Sequence, residues 1–303
     1  MKAKLFRPLL AIACFLAASC SGNAAVRKPN IVLIGSTPCD AAIKSILRVD
    51  AARPVDFVRW ELGMETAGKA FALTVNFGEG QPNTRGFKGG GETRSHLGNY
   101  SVARRGSHTI YTFSSPGFGS ELSLIAISEN VFHVLDPAGR LMTGTGGWSY
   151  SLARKDRIRE KPGDLRSILR SLLDDRTGRP AVFVGRTPCV NFKRADLLSG
   201  NDCLKLKWKL ILHRHPVTRM PSTYKLESTV SRLRPIEGRW ALVNGNHASP
   251  QAILIQLDLD DPGRTISFLV GDDNVIFLLN EHQTPAVGNE DFGFTLNRIQ
   301  KTE

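Results

Sequence analysis

Asn274–Arg298 reads NVIFLLNEHQTPAVGNEDFGFTLNR, and Asn130–Arg154 reads NVFHVLDPAGRLMTGTGGWSYSLAR. The two align without a gap at an offset of 144 (274 − 130). Asn130, Val131, Leu135, Gly144, Leu152 and Arg154 recur as Asn274, Val275, Leu279, Gly288, Leu296 and Arg298. Trp148 and Tyr150 become Phe292 and Phe294, and Asp136 becomes Asn280. Further blocks repeat in the same order. Val32–Cys39 (VLIGSTPC) returns as Val182–Cys189 (VFVGRTPC), Val58–Leu62 resembles Leu206–Leu210, and Gly98-Asn99-Tyr100 returns as Gly238-Arg239-Trp240. Small drifts in offset between blocks are what loop insertions between fixed strands produce. The chain therefore reads as two copies of one unit, and a repeat of this length decides the fold before any local motif does.

Each copy is patterned for β-structure. In Phe71–Phe77 the odd positions are apolar and the even ones mostly polar, the period of a half-buried strand. In the first unit, strands are expected at 31–34, 57–62, 71–77, 100–102, 109–113, 123–127, 131–135 and 148–152. Gly35 and Pro38 are expected to close the first of these, and a short helix or turn over Asp40–Leu47 to follow it. Asp136-Pro137-Ala138-Gly139 supplies a turn, and Gly78–Leu97 reads as a long loop missing at this length from the second unit. In the second unit, strands are expected at 182–184, 204–212, 223–229, 240–243, 253–257, 266–270, 275–279 and 292–296. Eight short antiparallel strands suit a closed barrel, which leaves no exposed edge. Between the units, Leu165, Ile168, Leu169, Leu172 and Leu173 recur at helical spacing. The fold class is thus all-β: two tandem small antiparallel barrels joined by a short amphipathic helix. The divisions are residues 1–19 (signal peptide), 20–29 (tether), 30–154 (barrel one), 155–179 (helical linker) and 180–303 (barrel two). Trp60, Trp148, Trp208 and Trp240 are available to fill the barrels, and Phe292 and Phe294 are expected to point inward.

The 303 residues carry a formal charge of +12. Removing Lys2, Lys4 and Arg7 with the first 19 residues leaves +9 (12 − 3). A nucleic-acid binder concentrates such charge on one face together with base-stacking aromatics. Here the basic residues are spread singly, and the denser groups at Arg154–Arg170 and Lys205–Arg214 fall on the linker and on an alternating strand. The charge reads as a solvated cationic surface, suited to an anionic envelope, and no nucleic-acid partner is expected. Met1–Ser19 joins a charged start to an apolar run, Leu9–Ala18, that is too short to span a bilayer. It ends Leu16-Ala17-Ala18-Ser19-Cys20, which resembles a bacterial lipobox with Cys20 as the acylated residue. Its leucine stands four rather than three positions before the cysteine; ordinary cleavage near Ala24 or Ala25 is the alternative.

Candidate chemistry is sparse. With Cys20 acylated, Cys39, Cys189 and Cys203 remain in an oxidising compartment. Cys189 and Cys203 share a unit, and a disulfide between them would stabilise by about 3 kcal/mol in the chain-entropy model; two separate buried thiols are the alternative. Phe57 roughly occupies the place of Cys203 in the first unit, and Cys39 reads as a small buried hydrophobe. His213 and His215 share a strand face but lack the further ligands of a soft-metal site. His133 lies opposite Phe132 and Val134 in alternation, as a satisfied or exposed histidine rather than a catalytic one. Asp258–Asp261 and Asp272-Asp273 lack calcium-loop spacing, and Gly89-Gly90-Gly91 does not lead a strand into a helix as a phosphate loop does. No catalytic residue, metal or cofactor is assigned.

The unit order is a strand, Thr-Pro-Cys, a helical turn, a hairpin, Gly-x-aromatic, and a closing Asn-Val…Leu-Asp…Gly…Tyr-x-Leu-x-Arg. This resembles the N-terminal domain of NlpE-type lipoproteins, a family associated with copper resistance and envelope stress sensing. The resemblance covers both units. It implies lipocalin-like barrels on a lipid anchor at the bacterial envelope, and by analogy with enterobacterial sorting Ser21 points to the outer membrane facing the periplasm. The family's Cys-x-x-Cys is absent: Cys39 precedes Asp40-Ala41-Ala42, and Cys189 precedes Val190-Asn191-Phe192. Metal chemistry through that motif is therefore not expected. The functional expectation is a non-enzymatic binding or sensing module whose barrel mouths or Gly78–Leu97 loop meet a hydrophobic ligand, cell-wall material or an envelope protein. The alternatives are a structural protein with solid barrels and a soluble secreted binding protein.

Overall fold

The computed structural model describes residues 29–82, 84–106, 108–157, 179–189, 204–229, 235–246, 250, 252–258, 261 and 265–299. The expected signal peptide, Cys20 and the expected tether up to residue 28, residues 158–178 of the helical linker expected over 155–179, and Cys203 lie outside the described residues.

Sequence alternation becomes alternation of burial. In the strand Ala70–Gly78, Phe71, Leu73, Val75 and Phe77 are buried while the residues between them are not. Barrel one is built from β1 (Ile31–Pro38), β2 (Phe57–Glu65), β3 (Ala70–Gly78), β4 (Glu92–Arg105), β5 (His108–Ser114), β6 (Leu122–Ala126), β7 (Val131–Leu135) and β8 (Ser151–Arg154). Each strand pairs antiparallel with the next, and β8 returns to β1 to close the sheet. Barrel two repeats this with β9 (Ala181–Thr187), β10 (Leu206–Arg214), β11 (Pro221–Ser228), β12 (Ile236–Asn244), β13 (Ile253–Leu257), β14 (Ile266–Val270), β15 (Val275–Leu278) and β16 (Thr295–Arg298), closed by β16 on β9.

Several boundaries differ from those expected of the sequence. β1 continues through Gly35, which pairs with Trp60, and a side chain there would stand 2.8 Å from Leu152 Cδ2 and from the Ser151 carbonyl. Gly185 meets the same crowding, 2.7 Å from the Thr295 carbonyl. These glycines permit strand crossing rather than ending the strand. β4 begins at Glu92, so the loop of the first unit is shorter than Gly78–Leu97. Finally, β8 and β16 begin at Ser151 and Thr295, not at Trp148 and Phe292.

The helix α1 (Ala41–Ile46) starts where Asp40 accepts a hydrogen bond from the Ile43 amide at 3.0 Å, a standard N-cap. Its Ile43, with Leu47 just beyond it, joins the interior of barrel one. The interiors are filled. A water-sized void would leave accessible surface on its lining, yet Trp60, Leu62, Val75, Phe77 and Phe113 show at most 1% exposure. Phe183, Leu210, Leu226, Leu257 and Phe268 show none in barrel two.

The repeated Thr-Pro-Cys has a structural role in both barrels. Trp60 Nε1 donates to Thr37 Oγ1 at 2.8 Å, and Trp208 Nε1 donates to Thr187 Oγ1 at 2.8 Å. Each threonine hydroxyl donates in turn to the carbonyl of the next proline, Pro38 or Pro188. The only polar atom of a buried indole is thereby satisfied. Cys39 is buried, and burial pushes its thiol up to about 11, so it behaves as a small apolar side chain.

The barrels meet through matching faces. Ile110, Ile125, Val131 and Leu135 pack with Leu254, Leu269, Val275 and Leu279, their own counterparts at 144. Two counterpart pairs touch each other directly. The Ser151 and Thr295 hydroxyls are 2.8 Å apart, and the His133 ring meets Phe277 edge-on at 5.7 Å. Contact between equivalent residues marks an approximate two-fold axis. His133 is fully buried there. Its Nε2 faces the Met142 carbonyl at 2.8 Å and must donate. Nδ1 then accepts from the Ser151 hydroxyl at 3.0 Å, and Ser151 accepts from Thr295. A directed chain of hydrogen bonds thus crosses from one barrel to the other.

Thr37→Val and Thr187→Val each strand a buried indole N–H, so each should cost about 1–3 kcal/mol in urea unfolding. Losses near zero would show that these hydrogen bonds do not support the barrels. A second prediction concerns pH. Burial pushes His133 down to about 4, opposed by its Met142 hydrogen bond, while an unfolded histidine titrates near ~6.5. The unfolded chain therefore binds the extra proton first. The stability of the neutral buried ring is complete above about 6.5 and is lost as pH falls toward 4, by up to ~3 kcal/mol. In thermal melts from pH 7.5 to 4.5, His133→Phe should flatten the slope between 6.5 and 4.5; an unchanged slope would remove His133 as its source.

Candidate functional site

A groove of about 240 Å³ lies between the two barrels. The turns before β8 and β16 make its walls. In barrel one, the Gly147 and Trp148 amides donate to Thr145 Oγ1, and the Thr145 amide donates to the Trp148 carbonyl. In barrel two, the Asp291 and Phe292 amides donate to Asn289 Oδ1, and the Asn289 amide donates to the Phe292 carbonyl. Thr145 and Asn289 are counterparts, so side-chain-capped turns of one kind recur. Gly144 and Gly288 recur because a Cβ would collide with the Trp148 or Phe292 carbonyl. These turns rotate Trp148 and Phe292 out of their barrels. Both line the groove, contrary to the expectation that they fill barrel interiors. Phe294 does pack against the core of barrel two.

Equivalent positions of the two repeats both line the groove: Ser36 and Arg186, and Trp148 and Phe292. Strand register adds a third pair. Thr37 pairs with Val58 and Thr187 with Leu206, which makes Lys205, not Cys203, the counterpart of Phe57. Phe57 and Lys205 both line the groove. The site therefore sits on the approximate two-fold axis, with unlike chemistry at like positions.

Barrel one supplies a ring column. Phe57 stacks on Phe87 at 4.1 Å and on Trp148 at 4.6 Å between centroids. Barrel two supplies cations over rings: Arg186 lies 5.3 Å from the Trp148 centroid and Lys205 Nζ 5.8 Å from that of Phe292. Such contacts favour a cation without neutralising it. Asp291 is only 5% exposed and takes two guanidinium groups from barrel one, Arg59 at 2.7 Å and Arg85 at 2.8 Å. Asp56 accepts the Gly80 amide at 2.7 Å. Burial lowers Arg186. Lys205 is also lowered, first by burial and then by Arg186 and Lys207, with Asp291 opposing. Arg186 Nε is sealed from solvent without a hydrogen-bond partner among the described residues.

No family model, curated protein or solved structure matches this chain.

The other candidates named from the sequence take structural places. His215 Nδ1 accepts the Val217 and Thr218 amides in a turn, and the exposed His213 lends its carbonyl to the Trp240 indole. Asp272 caps the Asn274 and Val275 amides. Asp258 accepts the Tyr224 hydroxyl at 2.6 Å. Gly89, Gly90 and Gly91 adopt positive φ in the turn entering β4. Cys189 is disulfide-bonded; Cys203 is outside the described residues. No metal-ligand cluster occurs among the described residues. Lys205, grouped by sequence with a solvated strand, is half-buried in the groove. Arg59, Arg85, Arg186 and Asp291 carried no motif. The available signal was divergence within the repeat, where Ser36 becomes Arg186 and Gly147 becomes Asp291.

Asp291→Asn should leave two guanidinium groups facing a neutral amide. Because Arg59 and Arg85 remain 31% and 51% exposed, the loss is discounted to about 1–2 kcal/mol. Arg85→Gln should cost less, as the more solvated partner. Equal, negligible shifts of the thermal midpoint in both variants would show that this ion triad does not hold the barrels together.

Proposed function

We propose that this chain is a non-enzymatic binding module of the bacterial envelope: an NlpE-like tandem barrel, lipid-anchored at Cys20, that takes its ligand between the repeats. The observation that carries the reading is the groove, to which both repeats contribute at equivalent positions and in which Arg186 and Lys205 face inward without a paired carboxylate among the described residues. Burying cations costs free energy, and a ligand that compensates them explains why they stand there. The anchor rests on Leu16–Cys20 and the apolar run before it. The filled interiors argue against a hydrophobic ligand inside either barrel and favour the barrels as rigid supports. The same packing supports a second reading, a purely structural or interaction protein.

Native mass spectrometry of the protein released from envelope membranes separates these readings. The expected result is a mature chain beginning at an acylated Cys20, a two-hydrogen gain on reduction from a Cys189–Cys203 bridge, and a small-molecule adduct lost in Trp148→Ala. An unlipidated chain beginning near Ala25 would remove the anchor. Absence of an adduct in every preparation would leave the structural reading.

A further inference from the structure

The geometry points to a phosphate monoester as the ligand class of this groove, its dianion held between Arg186 and Lys205. This deepens the binding reading and depends on it. Four observations carry it. First, the buried carboxylate of the groove, Asp291, is already engaged by Arg59 and Arg85, while Asp56 is exposed and keeps its charge on accepting the Gly80 amide. The two cations contributed by barrel two are left without an ion-pair partner among the described residues, and a group with two negative charges matches them. Second, Arg186 and Lys205 both line the groove, so one ligand with several acceptor oxygens meets a guanidinium and an ammonium together. A phosphate offers three such oxygens and so serves a guanidinium and an ammonium at once, which a single planar carboxylate does less well. Third, the ring faces are consumed: Phe57 lies between Phe87 and Trp148, and cations lie over Trp148 and Phe292. A flat apolar ligand finds little face to stack on. Fourth, about 240 Å³ falls below the roughly 300–1,000 Å³ of drug-sized sites but holds several waters' volume at ~30 Å³ each. That suits a small phosphoester, whether a free metabolite or a lipid headgroup.

The test is a titration of the full mature chain, read by the Trp148 indole N–H resonance. The probes are sn-glycerol 3-phosphate, inorganic phosphate, glycerol as the neutral partner, and vesicles of phosphatidic acid or of phosphatidylcholine. Glycerol phosphate is expected to shift this resonance at least tenfold more tightly than glycerol. Arg186→Gln with Lys205→Gln should weaken it at least tenfold, whereas Lys69→Gln with Arg104→Gln, an equal loss of charge at exposed sites, should change it less than twofold. Arg186→Lys, which keeps the charge, should retain part of the affinity and shows that the site still folds. A response to phosphatidic-acid vesicles alone would support the phosphate and assign it to a lipid headgroup. Equal binding of glycerol and glycerol phosphate would overturn the anion while leaving a binding groove. Equal losses in the two double variants would overturn the assignment to Arg186 and Lys205. No response to any probe would remove groove and anion together.

Discussion

The architecture depends on a contact between two equivalent hydroxyls, Ser151 and Thr295, at the centre of the barrel–barrel interface. Two barrels closed on themselves have no edge to offer each other, so they associate through side chains on their outer faces. An apolar face alone permits sliding. The hydrogen-bonded chain from Met142 through His133 and Ser151 to Thr295 has one geometry that satisfies every member, and a fully satisfied buried network specifies a unique arrangement. With that contact fixed, the turns carrying Trp148 and Phe292 are brought face to face and the groove between them is defined.

The repeat was legible because its recurrences are obligatory. Gly144 and Gly288 cannot carry a Cβ beneath the Trp148 and Phe292 carbonyls, and Thr37 and Thr187 each serve a buried indole. Asp136 became Asn280 without consequence for the turn, since either side chain offers the oxygen that accepts nearby amides. Strand alternation likewise gave the inward faces, because in a closed barrel one side of every strand is interior.

What was not legible has a physical reason too. Trp148, Tyr150 and Leu152 share one alternation, and so do Phe292, Phe294 and Leu296, which invites one strand through all three. Alternation cannot reveal that a threonine or asparagine caps a turn and rotates the first aromatic outward. His133 was correctly placed opposite its apolar neighbours, yet the face it occupies looks outward from barrel one and is buried only because barrel two covers it. Burial of that kind belongs to the assembly of the two units and leaves no periodicity in either. Arg186 and Lys205 were hidden for the same reason: alternation places them on an outer face, which the sequence equates with solvent.

Tandem fusion explains why the groove is chemically lopsided. In a symmetric dimer of one such barrel, positions equivalent across the axis carry the same residue. A Ser36-type position would then present two serines or two arginines, and a Phe57-type position two phenylalanines or two lysines. Two arginines and two lysines around one small space would repel each other, while two serines and two phenylalanines would attract no anion. Covalent linkage removes that constraint, because each position of a pair is encoded separately. Here barrel one holds Ser36, Phe57 and Trp148, and barrel two holds Arg186, Lys205 and Phe292. A ring of one half, Trp148, supports a cation of the other, Arg186, and Asp291, standing where barrel one has Gly147, returns a carboxylate to the arginines across the axis. The interface keeps its two-fold likeness where packing requires it, and departs from it where a binding site gains by being unequal.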